Sequence, residues 1–150
     1  MLYTFFLALT ILSICFAKVE IAIEGGAGWA ENLPTWRLSK DYWFCKYFWG
    51  GRPLTGYHFW TFLFMILIFH FVFVFIQPTL ALELKIISAL MFFWIFEDFF
   101  WFVLNPAFGL KNFKKSKIWW HEKGWWLIAP RDYFVFTAIA TTLLILASKF

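Results

Sequence analysis

From residue 57 to residue 104 the chain is overwhelmingly apolar, and the pair Gln77-Pro78 divides it into runs of residues 57–76 and 79–104. Each run has the roughly 20 residues a helix needs to cross the hydrocarbon core of a bilayer. In lipid every backbone N–H and C=O must be paired within the segment, which admits a helix and forbids an open strand edge. That decides the reading of Phe71-Val72-Phe73-Val74-Phe75, whose alternation alone would suit a strand. If the two runs form a hairpin about Gln77-Pro78, residues equidistant from the turn share a depth. His58 then falls level with Glu97, with Asp98 beside them.

Composition points the same way. With 63% hydrophobic and 15% charged residues, a water-soluble fold of 150 residues could not cover its apolar surface. Residues 2–23 and 132–147 supply two more spans. The first lacks a positively charged start, so it reads as an anchor rather than a cleaved signal. The expected fold class is all-α: one domain over residues 1–150, a polytopic integral membrane protein with four transmembrane helices. Thr55 and Asp132 stand where the N-caps of the second and fourth helices belong. Pro78 suits the first turn of the third helix, and Asn105-Pro106 suits its end. Gly25-Gly26-Ala27-Gly28 lacks the Lys-Ser/Thr of a phosphate loop and reads as a flexible exit from the first helix. Neither Cys15 nor Cys45 suggests a disulfide.

Charge sets the orientation. Eleven of the 13 lysines and arginines lie on one side: ten in the two long connections, between the first and second spans and between the third and fourth, and Lys18 near the inner end of the first span. By the positive-inside rule both connections are cytoplasmic and both termini face outward, in a cytoplasmic membrane. The connections are also rich in aromatic residues, among them Trp29, Trp36, Tyr42, Trp43, Tyr47 and Trp49 in the first. Trp119, Trp120, Trp125 and Trp126 follow in the second. Tryptophan and tyrosine settle at the headgroup level, so these connections are expected at the interface, with a short helix within residues 39–49. Membrane lipids are the first expected partner, and nothing points to nucleic acid. Small residues on the first span (Thr4, Ala8, Ser13) and the fourth (Thr137, Ala138, Ala140, Thr141, Thr142) suit close helix packing. The same faces suit self-association or a membrane-protein partner.

A titratable residue inside a membrane helix is costly and is by default a functional-site hypothesis. At the cytoplasmic end, Glu20 and Glu24 close the first span and His58 opens the second. Glu97 and Asp98 lie near the inner end of the third, and Asp132 starts the fourth. Glu97 is about 9 Å from the middle of its helix by helical rise, within the bilayer edge. Trp94, Glu97, Trp101 and Asn105 form one stripe at i, i+3/i+4 spacing. Glu24, His58, Glu97 and Asp98 are therefore the candidate catalytic residues, and Trp94, Trp101 and Asn105 the candidate ligand contacts. Such a cluster suits acid–base chemistry, proton shuttling or a metal site. No spacing names a reaction, metal or cofactor. A purely structural reading has Glu97 or Asp98 paired with Arg37, Arg52 or Arg131. Further out, His70 is placed to pair with Glu83 or to ligate a haem or chlorin metal. His121 reaches the main cluster only if its connection folds inward.

These residues point to a small membrane enzyme or binding protein acting on a lipid-soluble substrate at the cytoplasmic leaflet. The alternatives are a non-catalytic subunit of a larger membrane complex, beside a pigment or haem, and an oligomeric transporter or channel subunit.

Overall fold

Helix α1 (Leu2–Glu24) leads through a looped segment to the two-residue strand β1 (Arg37–Leu38) and a short helix α2 (Trp43–Tyr47). Strand β2 (Leu54–Thr55) pairs antiparallel with β1, Arg37 opposite Thr55, and runs directly into α3 (Gly56–His70). The apolar run then tightens into one 3-10 turn, Phe71–Val74, before the chain reverses into α4 (Leu80–Leu104). The last connection carries two 3-10 turns and a hairpin of β3 (Trp125–Trp126) and β4 (Ala129–Pro130), and ends in α5 (Arg131–Ala147). This computed structural model describes residues 2–150, apart from the side chains of residues 122 and 123.

The fold is mostly α-helical, and three of its helical segments are long and apolar enough to cross a membrane: Leu2–Glu24, Gly56–Val74 and Leu80–Leu104. The fourth, α5, has 17 residues, about 26 Å of helix. The mostly α-helical character agrees with the expected class, and each long connection adds a small antiparallel ladder of two-residue strands. The connections fold back against the helices, and their backbone N–H and C=O groups must then be paired internally.

Helix α4 occupies the centre, with α1 and α5 packed along it. Small residues make the close approach possible. The Ser13 hydroxyl donates to the Phe93 carbonyl (3.2 Å), and Ser88 donates to the Ala140 carbonyl (2.8 Å). Each hydroxyl thus joins two helices where a larger side chain would hold them apart. Helix α3 touches α4 through long side chains instead, with Phe62 and Trp94 ring centroids 4.2 Å apart and Phe69 and Phe93 5.4 Å apart. The pairing of the second and third spans is therefore present but is not the main contact of α4.

Two aromatic clusters divide the interior by depth. One gathers Leu9, Met65, Ala89, Phe92, Phe93 and Ala140 in the middle of the helices. The other gathers Ala17, Trp101, Phe102, Ile118 and Trp120 where α1 and α4 end. This second cluster draws the α4–α5 connection inward and forms one wall of the site described next.

The caps follow the sequence in part. Thr55 caps α3, its hydroxyl oxygen accepting from the His58 N–H (3.2 Å). Pro78 does not open α4: Thr79 is the cap, accepting from the Leu82 N–H, and Pro78 precedes it. Asp132 is not a cap either. Pro130 holds that position, and Asp132 sits in the first turn of α5, where Arg52 claims its carboxylate (3.0 Å).

Candidate functional site

The end of α1 sets the frame. Glu20 and Glu24 stand one turn apart and are both buried. Glu24 accepts from the Ala30 N–H with one carboxylate oxygen. That bond closes a tight segment in which Trp29 and Ala30 both adopt positive φ, 49° and 51°. The glycine run before it is not merely a flexible exit. Gly26 abuts Ala107, and Gly28, at φ +71°, lies under the Trp120 and Trp101 rings, so the two long connections meet there.

Glu20 turns inward. Its Oε1 accepts from the Tyr57 hydroxyl (2.9 Å), and its carboxyl group lies against that of Glu97. Glu97 is 3% exposed, and its Oε1 has no hydrogen-bond partner among the described residues. One turn along the same helix, the Trp101 indole N–H is likewise buried and unpaired. The sequence stripe of Trp94, Glu97 and Trp101 therefore carries an unmet acceptor and an unmet donor on side chains one helical turn apart. Buried polar atoms without partners are rare, because each costs the free energy of lost hydration. A third such atom, the Trp49 indole N–H, lies across Phe62 from Trp94.

Glu97 and Asp98, though adjacent, serve different sides of α4. Asp98 Oδ2 accepts from the Tyr133 hydroxyl of α5 and stands 3.4 Å from His121 Nε2. The α4–α5 connection thus folds inward, the condition under which His121 reaches the cluster. None of the arginines named in the structural reading pairs with Glu97. Arg37 donates to the carbonyls of Ala30, Glu31 and Leu33. Arg52 pairs with Asp132, and Arg131 stands 3.5 Å from the same carboxylate. The Arg52 guanidinium also lies 4.8 Å over the Trp29 ring. Burial draws its pKa below the usual value, opposed by the charges of Asp132 and Asp98.

His58 is engaged by the first connection. Its ring stacks on Trp29 at 4.1 Å, and its Nδ1 bonds to Thr55 Oγ1 at 2.7 Å. The same Thr55 oxygen accepts from the His58 N–H, so Thr55 holds both the backbone and the ring of His58. Trp94 packs against Phe16, Phe62 and Phe93 and lines the apolar side. Asn105 spends its amide on structure, donating to the Gly25 carbonyl (2.8 Å) and accepting from the Ala107 N–H (3.0 Å). This locks the end of α4 to the exit of α1.

Among the described residues no three His, Cys, Asp or Glu side chains converge as a metal-ligand set. His70 pairs with Glu83 through Nε2 (3.2 Å), and its Nδ1 meets the Ile66 carbonyl (2.7 Å), so both ring nitrogens are engaged. Two residues of the site went unnoticed in the sequence, Tyr57 and Tyr133. Each sits in the first turn of a helix, beside the polar residues His58 and Asp132 that drew the eye. The chain matches no family model, no curated protein and no solved structure, so its chemistry rests on this geometry.

Proposed function

We propose that the chain is an integral membrane protein with four spanning helices that binds a lipid-soluble molecule through a hydroxyl group, in the space between Glu97 and Trp101. The observation that carries this reading is the pair of unmet polar atoms, Glu97 Oε1 and Trp101 Nε1, one turn apart on α4. A hydroxyl is the simplest group that satisfies both, donating to the carboxylate oxygen and accepting from the indole N–H. An ammonium leaves the indole unmet, and a phosphate or carboxylate meets the Glu20–Glu97 carboxyls with like charge. Phe62 and Trp94 supply an apolar lining for the rest of such a molecule. With Glu20, Tyr57 and Glu97 in contact, the same site has a path for a proton to or from the bound oxygen, the step an enzyme of this class needs.

Long-chain alcohol, amine and carboxylic acid photoprobes of one chain length test the ligand class. The alcohol is expected to crosslink to α4 around residues 94–101, and Trp101→Phe to weaken that labelling. Equal labelling by the amine would show only a carboxyl cluster attracting a cation, and would contradict the proposal.

The orientation that goes with this reading has both basic connections on the cytoplasmic side and both termini outside. Eleven of the 13 lysines and arginines support it. A cysteine at position 115, which is exposed, is expected to react with a membrane-impermeant reagent only from the cytoplasmic side. Labelling from outside would invert the topology.

A further inference from the structure

The β3–β4 hairpin ends in the two most solvent-exposed aliphatic side chains among the described residues, Leu127 at 90% and Ile128 at 82%. Local structure does not ask for them. A two-residue hairpin turn favours asparagine, aspartate or glycine, which tolerate positive φ, yet Leu127 holds φ +46°. The tip is also held firmly. Trp125 packs on Phe113 at 5.4 Å, and its indole N–H donates to the Leu127 carbonyl (3.3 Å). That bond pairs a tip carbonyl internally, as insertion into a medium without water requires. Trp126 leans along α5, its ring 6.3 Å from Phe134, itself exposed on the outer face of that helix. The hairpin therefore lies beside the helix rather than projecting away from it.

Charge identifies the occupant. Lys111, Lys114, Lys115 and Lys117 are all exposed, and none pairs with a described carboxylate. The contact between Phe113 and Trp125 ties this basic segment to the base of the hairpin. An apolar tip beside exposed lysines, with tryptophans between, matches the layers of an anionic leaflet: acyl chain, interface and headgroup. We propose that Leu127 and Ile128 form a membrane foot, inserted into the acyl–headgroup boundary of the leaflet from which α5 starts, with these lysines on anionic headgroups. The proposal rests on the reading of the helices as membrane-spanning. It adds a lipid contact that the spanning helices do not require.

The test uses the full chain with Cys15→Ser and Cys45→Ser, an environment-sensitive fluorophore on Leu127→Cys or, separately, on Ile128→Cys, and vesicles of phosphatidylcholine and phosphatidylglycerol. Both probes are expected to show blue-shifted emission, quenching by lipids brominated high on the acyl chain, and loss of quenching by aqueous iodide. The same fluorophore on Lys115→Cys is expected to show the reverse. Omitting phosphatidylglycerol is expected to shift the Leu127 probe toward iodide access. Iodide quenching of the tip probes as strong as that at position 115, in a chain that resists carbonate extraction, would overturn the foot and leave the spanning reading intact. Shielding of the tip from both quenchers would overturn it in favour of a protein partner. Extraction by carbonate would remove the spanning reading and the foot together.

Discussion

Glu97→Leu is expected to melt at a higher temperature in detergent than the parent chain while losing its retention of a long-chain alcohol. The physical basis is the isolation of the Glu97 carboxyl. It lies against a second carboxyl, one of its oxygens has no partner, and no arginine balances it. Leucine fills a similar volume and removes an acceptor that is costly to desolvate. Replacing buried charged groups with packed apolar ones is often stabilising, and a gain of about 1–2 kcal/mol is reasonable here. Glu97→Gln separates charge from shape. It keeps the hydrogen-bonding outline, removes the carboxylate, and should weaken alcohol binding by about 10–100-fold, the worth of one hydrogen bond to a charged group. Thermal unfolding and alcohol binding, measured on both variants, check this. A Leu variant that is less stable and still binds the alcohol would make Glu97 a structural acid.

Gly28→Val is expected to do the opposite, lowering stability by roughly 2–5 kcal/mol and loosening the site. A Cβ at position 28 would stand 2.6 Å from the Trp120 ring and 3.1 Å from that of Trp101. The positive φ adds about 1–2 kcal/mol for any L side chain, and overpacking a filled contact costs about 1–3 kcal/mol more. The ring that must move is Trp120, which stacks on Phe102 and neighbours His121, so its displacement should also free Asp98 from His121. Hydrogen exchange across residues 113–130 is the direct readout. Unchanged protection there would mean that Gly28 does not hold the two connections together.

The helices were legible because the physics that sets them is one-dimensional. Prevailing apolarity over residues 57–76 and 79–104 leaves a backbone in lipid only one way to pair its hydrogen bonds. Thr55 was legible as a cap, and the stripe from Trp94 to Trp101 as one face of a helix, because both depend on spacing alone. Asp132 was misread as a cap because the group that claims its carboxylate, the Arg52 guanidinium, lies 80 residues away in the chain. The same limit hid the partition of the two acids. Neighbours on a helix point about 100° apart, so Glu97 meets α1 while Asp98 meets α5 and the His121 connection. Nothing in the spacing says which helix stands on which side. Glu24 and Asn105 stood out as polar residues near the ends of spans. Glu24 closes the first connection on itself at Ala30, and Asn105 ties the end of α4 to Gly25. The glycine run where the two connections meet carried no signal beyond composition.

The central claim is that Glu97 Oε1 and Trp101 Nε1 are unpaired because a ligand oxygen belongs between them. A density map of the protein extracted from its own membrane, at a resolution that separates water from lipid, tests it most directly. The account predicts a density bridging the two atoms and continuing as an apolar tail along Phe62 and Trp94. An isolated water peak between them, or close packing that brings each atom to a protein partner, would contradict it.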